Sequence, residues 1–371
     1  MIVNSKKVVK ILDGMFPERL AYDWDNVGFQ VGDMNHQIRK ILLALELNRE
    51  VLDEAIENNI DLIITHHPFI FKGIKKVVSS DYTGGILMDM IKNNISLYVS
   101  HTNMDIASGG TNDYLAKLLE VRNLKNIEKT YSKTYYKIVV YIPEENLDEF
   151  RGKILASGVG TIGNYDSCSF SSSGVGTFRP LENSNPYLGK QGEMEYVKEY
   201  KFEFMAGQDQ LNSVVDKIKK YHPYEEVAID IIKIENEMET LGLGRYGDLE
   251  NMSLKDLGLR VKEVLGLEGV NVVGDLDKPI RKVAICSGAG SDLIKRAKSL
   301  KCDVLITGDL KYHEAQDAVN MGMAVIDGGH YGTENIYMEE LKKKLSNIIE
   351  EKDYNLKVYV SSKNINPMKL L

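Results

Sequence analysis

Cysteine is scarce in this chain: Cys168, Cys286 and Cys302 are the only three among 371 residues. An odd number with no Cys-x-x-Cys spacing implies neither a disulfide framework nor a thiolate zinc site, and it fits a reducing, cytoplasmic compartment. Long apolar runs are missing too. Without a stretch of about eighteen uncharged apolar residues no helical membrane span is expected. Residues 1–17 mix lysine with apolar side chains as an amphipathic helix does, and lack the continuous apolar core of a signal peptide. Nor is there an excess of positive charge. Lys and Arg number 46 against 54 Asp and Glu, a formal net charge of −8, which argues against nucleic acid as a partner because non-specific affinity for it comes from clustered cations. The run Lys342-Lys343-Lys344 reads as a solvated helix face. What remains is an ordinary globular balance, 43% hydrophobic and 27% charged, in a chain long enough for two or three units.

Strand-type apolar runs alternate with helical pattern over residues 38–120 and again over 280–347, the arrangement of βαβ units in an α/β fold. In the first place residues 41–47 read as a strand, 49–58 as a helix, 61–65 as a buried strand, 85–94 as a helix and 96–100 as a strand. The second place repeats the first at a constant offset of 242, which lays Lys40 on Lys282, Ala55 on Ala297, Asp61 on Asp303, Ile64 on Ile306 and Thr65 on Thr307. This predicts two related α/β halves, residues 1–129 and 237–371, forming one core. Between them, residues 130–236 read as an inserted α+β domain of ferredoxin-like kind. Its strands are expected at 136–142, 174–179, 194–205 and 227–234, and its helices at 144–157 and 209–221. The Gly/Ser-rich run 171–176 and the segment 241–247 are expected to supply turns.

Five of the seven histidines fall in four short windows at predicted strand ends. These are Thr65-His66-His67-Pro68, the run from His101 to Asp105, the run from Asp309 to His313, and Asp327-Gly328-Gly329-His330 with Glu334 four residues on. Loops after the carboxyl ends of strands form the ligand crevice of open α/β sheets, so windows from both halves can converge there. Imidazole with carboxylate and no thiolate suits zinc, iron, manganese, nickel or cobalt and disfavours calcium. Three histidines and two carboxylates exceed what one tetrahedral ion uses, which points to two divalent metal ions. His101 and His313 remain as acid/base candidates or as hydrogen-bond partners of the ligands, and Asp309 is a further partner candidate with a helix N-cap as its alternative. The glycines at 288 and 290 open a strand-to-helix turn, a feeble phosphate-loop signal. Trp24, the single tryptophan, reads as a packing anchor in preference to a crevice wall.

Taken together these windows closely resemble the Nif-three-like dinuclear-metal family, the GTP cyclohydrolase I type 2 homologues. The resemblance rests on the His-His-Pro after a strand, His-Thr-Asn-x-Asp, Thr-Gly-Asp-x-x-x-His and Asp-x-Gly-His-x-x-x-Glu in the family's order, with Trp-Asp-Asn-x-Gly-x-Gln-Val-Gly near the N-terminus. It implies metal ligation by His66, His67, Asp105, His330 and Glu334, with Glu334 bridging two ions. The Tyr221-His222-Pro223-Tyr224-Glu225-Glu226 segment and residues 174–180 are similar to the PII/CutA-like insert of the longer members. A ring-shaped homohexamer is implied as well.

Two functions follow as expectations. One is a metal-dependent hydrolase acting on a nucleotide or related small molecule, for which the family label implies opening of the guanine imidazole ring of GTP. The other is a non-catalytic regulatory or metal-handling protein whose insert senses a ligand. The mixed ligand set with room for water favours the first.

Overall fold

The structure, a computed structural model, describes residues 3–236 and 239–369, so the boundary expected at residue 237 lies outside the described residues. The chain is a mixed α/β protein in two compact units. One runs up to Tyr131 and resumes at Leu241, and the other is Ser132–Thr240. No helix among the described residues is long and apolar enough to cross a membrane.

The outer unit holds two sheets. In the first, Lys357–Val360, Lys40–Ala44, Leu62–Thr65 and Ser96–Val99 lie parallel in that order, and Gly28–Val31 closes the edge antiparallel. Its inner strands are continuous apolar runs because helices cover both faces. Ile41, Leu43, Leu62 and Ile64 point into one core cluster, while Leu42, Ala44 and Ile63 point into another. In the second sheet Ala324–Asp327, Val304–Gly308 and Pro279–Ala289 are parallel, flanked by Asn271–Val273 on one side and by Arg245–Ser253 and Arg122–Asn126 on the other.

The register of the two sheets corresponds residue for residue. Ile41 pairs with Leu62, Leu42 with Ile63 and Leu43 with Ile64; at the offset of the sequence repeat, Val283 pairs with Val304, Ala284 with Leu305 and Ile285 with Ile306. Side chains correspond as well. Asp61 Oδ2 accepts from the backbone N–H of Arg39 and Lys40 at 2.7 and 2.9 Å, and Asp303 Oδ2 accepts from those of Arg281 and Lys282, both at 2.9 Å. Lys40 Nζ caps the Asn58 carbonyl at 2.6 Å as Lys282 Nζ caps that of Leu300 at 2.8 Å. Asn59 and Lys301 both turn the chain with positive φ, 52° and 61°.

Elements cross between the sheets. The helix Tyr337–Glu351, which follows the second sheet's strands in sequence, packs Tyr337, Met338, Leu341 and Leu345 into the core of the first sheet, and the strand after it joins that sheet's edge. In return Leu115, Ala116 and Leu119 pack against the second sheet. Arg245, 4% exposed, ties the two. Its guanidinium pairs with Asp113 and donates to the carbonyls of Ile106 and Ala107 at 3.1 and 3.3 Å, which fixes the residues directly after Asp105.

In the inner unit, strands Ser169–Phe178, Glu195–Gly207, Tyr135–Pro143 and Ile229–Ile234 form one antiparallel sheet in that order. Helices Leu147–Leu155 and Leu211–Tyr221 cover one face, burying Phe150, Ile154, Val214 and Ile218 against Val140, Phe202 and Phe204. The turn expected at 171–176 is instead paired strand. Glycine is needed there for space: a Cβ on Gly176 would collide with the buried Glu199 carboxylate.

Candidate metal centre

The carboxyl ends of both parallel sheets carry the clustered residues. His66 and His67 leave the strand Leu62–Thr65 with their N–H groups still paired to Ala44 and Leu45 carbonyls at 3.3 and 2.8 Å. His66 is fully buried. Its Nδ1 donates to the Ser100 carbonyl at 2.9 Å, which leaves Nε2 to face Asp105 Oδ1 at 3.7 Å and Glu334 Oε1 at 3.6 Å. Asp105 sits in the short helix Thr102–Ile106, with Thr111 Oγ1 donating to its Oδ1. From the second sheet, Ala324–Asp327 passes through Gly329, at φ 72°, directly into the helix His330–Asn335. That start places His330 and Glu334 four residues apart on one helical face.

Three imidazoles therefore converge on one carboxylate. His67 Nε2 and His330 Nε2 stand 2.9 and 3.1 Å from Glu334 Oε2 and 3.2 Å from each other. Two nitrogens each bound to a common tetrahedral ion at about 2.0–2.1 Å are about 3.3 Å apart. The arrangement fits a cation. His66 Nε2 is a buried nitrogen with no hydrogen-bond partner, and a lone pair facing two carboxylates is repulsive unless a proton or a metal ion occupies it. Ring nitrogens of His66, His67 and His101 also lie within 4.8 Å of one another, as do donor atoms of His67, His330 and Glu334. These are groups that could hold a metal ion.

The electrostatics follow from the crowding. Burial pushes the His67 imidazolium down, but the hydrogen bond to Glu334 and the charges of Glu334 and Glu46 outweigh it and raise its pKa to about 10. For His330 the hydrogen bond to Glu334 leads, against burial, and the pKa rises to about 9. His66 is raised too, burial opposing and Asp105 and Glu334 prevailing. Burial would raise Glu334, yet the charge of His66 at 3.6 Å and hydrogen bonds from His330 and His67 hold it well below the usual carboxylate range.

Neighbours orient the rings: Asp25 and Glu46, which sequence reasoning missed, and Asp309, which it named. Asp25, its carboxylate shut off from solvent, accepts from His101 Nδ1 at 2.9 Å and from Thr102 Oγ1 at 2.5 Å. An acidic residue beside the lone tryptophan was the available signal. Glu46 lies 3.9 Å from His67 Nδ1, an ion-pair distance. Asp309 accepts from His330 Nδ1 at 2.8 Å and does not cap a helix. The helix Tyr312–Asn320 starts two residues later than that alternative required, with Lys311 and Glu314 as its capping pair. His313 is exposed with its ring edge-on to Tyr312, and among the described residues no hydrogen bond or ion pair ties it to the cluster. Trp24 is no packing anchor, being 59% exposed beside His101. Its neighbour Asp25 takes the buried place because His101 and Thr102 present donors that need an acceptor there.

Gly288 has a defined part. At φ 63° it passes under Glu334, and a Cβ there would collide with Oε1, so the turn read as a possible phosphate loop serves to admit this carboxylate. Gly288→Ala is expected to displace Glu334 and lower metal content by more than half in elemental analysis of purified protein. Wild-type metal content in that variant would refute the role.

A family model described as Duf34/NIF3 (NGG1p interacting factor 3) matches residues 3–367. The chain is 38% identical over 370 residues to a GTP cyclohydrolase 1 type 2 homolog of Bacillus subtilis (strain 168), covering 100% of this chain and 99% of that protein. It is similar to the crystal structure of a Bacillus cereus protein related to NIF3, with a TM-score of 0.92 and 37% identity over 100% of both chains. Staphylococcus aureus protein SA1388 is also similar, with a TM-score of 0.81, 32% identity and coverage of 100% and 99%.

Proposed function

Since the chain belongs to the Duf34/NIF3 family, we propose that it is a metal-dependent hydrolase holding two divalent ions between His66, His67, Asp105, His330 and Glu334, with a nucleotide or related small molecule as substrate. One observation carries this reading: imidazole nitrogens of His66, His67 and His330, brought from both sheets, converge on the buried Glu334 carboxylate, and the buried His66 nitrogen has no hydrogen-bond partner. Divalent ions there would lower the pKa of a bound water toward neutrality and polarise the bond it attacks. The chain's own residues fix the rest. Ser100 and Asp309 hold the His66 and His330 rings, and Asp25 holds His101 at the rim, where its imidazole can take or give a proton.

The relatives' name, GTP cyclohydrolase 1 type 2 homolog, makes GTP the first substrate to try. Metal-loaded protein incubated with GTP and a nucleotide panel should release formate or phosphate, and the activity should vanish in Glu334→Ala. Retained activity in that variant would refute the assignment. No turnover of any nucleotide by fully loaded protein would favour the regulatory reading.

We also read the two sheets as duplicated halves, supported by their shared register and matching Asp61 and Asp303 contacts. The inner unit is read as a ferredoxin-like, PII/CutA-like insert, supported by its strand order and the Tyr221–Glu226 motif. A cytoplasmic homohexamer rests on motif resemblance and is testable by light scattering. The ends of the outer unit adjoin, Thr130 N–H donating to the Leu241 carbonyl at 3.0 Å. Deleting 132–240 with a short linker should therefore leave a soluble protein that binds metal. Insolubility or loss of metal across several linker lengths would make the inner unit integral to the fold.

A further inference from the structure

Trp24 stands at the rim of the candidate site with 59% of its surface exposed. Tyr22 stacks on it with ring centroids 5.6 Å apart and planes 11° from parallel, so one indole face is covered and the exposed area belongs to the other face and the edges. The indole meets the His101 ring edge-on at 6.3 Å. Phe71, itself 46% exposed, lies at 6.1 Å and tilted by 57°. Two large aromatics left in water beside a cluster of metal-type ligands are the informative exception to burial.

They are also held in place. The residue after Trp24 is Asp25, whose buried carboxylate accepts from the Thr102 backbone N–H at 3.1 Å as well as from His101. Tyr22 N–H donates to Thr102 Oγ1 at 3.3 Å. The segment carrying Phe71 follows His67 and is tied to the Trp24 segment through Ile70. Its N–H donates to Gln30 Oε1 at 2.9 Å, and its carbonyl accepts from Gln30 Nε2 at 3.2 Å and from Asn26 Nδ2. Both aromatics are thus fixed relative to His101 and His67 before any ligand arrives, which removes the ordering cost a mobile side chain would bring.

Resting on the reading of this site as a metal centre for small molecules, we propose that Trp24 and Phe71 form a stacking platform for a planar heteroaromatic ring of the substrate. The platform holds that ring against the open indole face while its polar substituents reach His101 and the cluster. Stacking of this kind is tolerant of ring identity because every such ring has a π-face. Trp24 and Phe71 therefore select for a planar ring and leave the choice among rings to the groups beyond.

The single tryptophan makes the test direct. With metal-loaded full-length protein and excitation selective for indole, guanosine and adenosine should change Trp24 emission saturably, while ribose 5-phosphate and inorganic triphosphate should not. Phe71→Ala should weaken guanosine binding about 5- to 150-fold, the range that base–aromatic stacking supplies. By calorimetry Trp24→Ala should lose guanosine binding and Trp24→Phe should restore most of it. Metal content is measured on every sample. Saturable quenching in protein that takes up no metal when metal is offered supports the platform and refutes only the metal reading. The proposal is overturned if neither nucleoside changes the emission, if triphosphate alone does so equally well, or if emission follows protein concentration and not nucleoside, which would mean that a second copy covers the indole.

Discussion

Replacing Glu334 by Gln is expected to cost the protein more than about 100-fold in metal affinity, beyond the 10- to 100-fold that loss of an outer hydrogen-bond partner brings. The side chain is 4% exposed and lies within 3.6 Å of the Nε2 atoms of His66, His67 and His330. An amide of the same shape keeps the packing but removes the negative charge on which the three rings converge. It also presents N–H donors where acceptors are needed. Without a cation the variant suffers as well. His67 and His330 lose the partner that keeps them protonated at neutral pH. Two controls separate these effects. Asp309→Asn, which disturbs only the His330 orientation, should fall in the 10- to 100-fold range, and His313→Ala, exposed and away from the cluster, should leave metal content unchanged. Equal metal content in wild type and Glu334→Gln, measured after dialysis against a weak chelator, would move the metal site elsewhere.

Why some of this was legible in the sequence and some was not has a physical basis. The inner strands were readable because both faces are covered, so Leu62, Ile63 and Ile64 appear as an unbroken apolar run. The matched positions at offset 242 include Asp61 and Asp303, each of which binds two N–H groups across a strand start, a job few side chains can do. Residues at strand ends could be nominated because that is where parallel sheets place ligand crevices. Which nominees meet is a tertiary fact. His313 and Asp309 share one window, yet the positive φ of Asp309, 56°, turns its carboxylate to His330 while His313 continues into an exposed helical turn. Asp25 was hidden because its partner His101 is 76 residues away and no local pattern encodes that distance. In the sequence the glycines at 176 and 288 read as turn or phosphate-loop signals, whereas in the fold each makes room for a carboxylate, Glu199 and Glu334. Trp24 misled in the opposite sense, since a lone tryptophan in a short polar window gives no period from which to read a face.

Metal binding is expected to release protons, and to release more than a set of ordinary histidines would. Free imidazoles near pKa 6.5 are mostly neutral at pH 7.5, so their ligation would free almost none. Here His67 stays protonated up to about 10 and His330 up to about 9 when no cation lies between them and Glu334. A divalent ion must therefore displace a proton from each at neutral pH. The sign is fixed by the direction of these shifts. Apparent metal affinity should climb steadily from pH 6 to pH 9 and flatten only above about pH 10, as His67 gives up its proton. Once ligated, the same imidazoles titrate below their free value, so metal is held at neutral pH and lost on acidification together with proton uptake. The metal-free protein should show the complementary trend. Its imidazolium pairs with Glu334 contribute fully below the unfolded histidine value of about 6.5 and are lost as pH rises through about 9 to 10, so chelator-treated protein should lose thermal stability over that window while loaded protein does not. Titrating zinc into metal-free protein at pH 7.5 in buffers of different ionisation enthalpy counts the protons directly. A count near zero, or an affinity independent of pH between 6 and 9, would show that the metal does not displace the protons of His67 and His330 and would take the proposed ligand set with it.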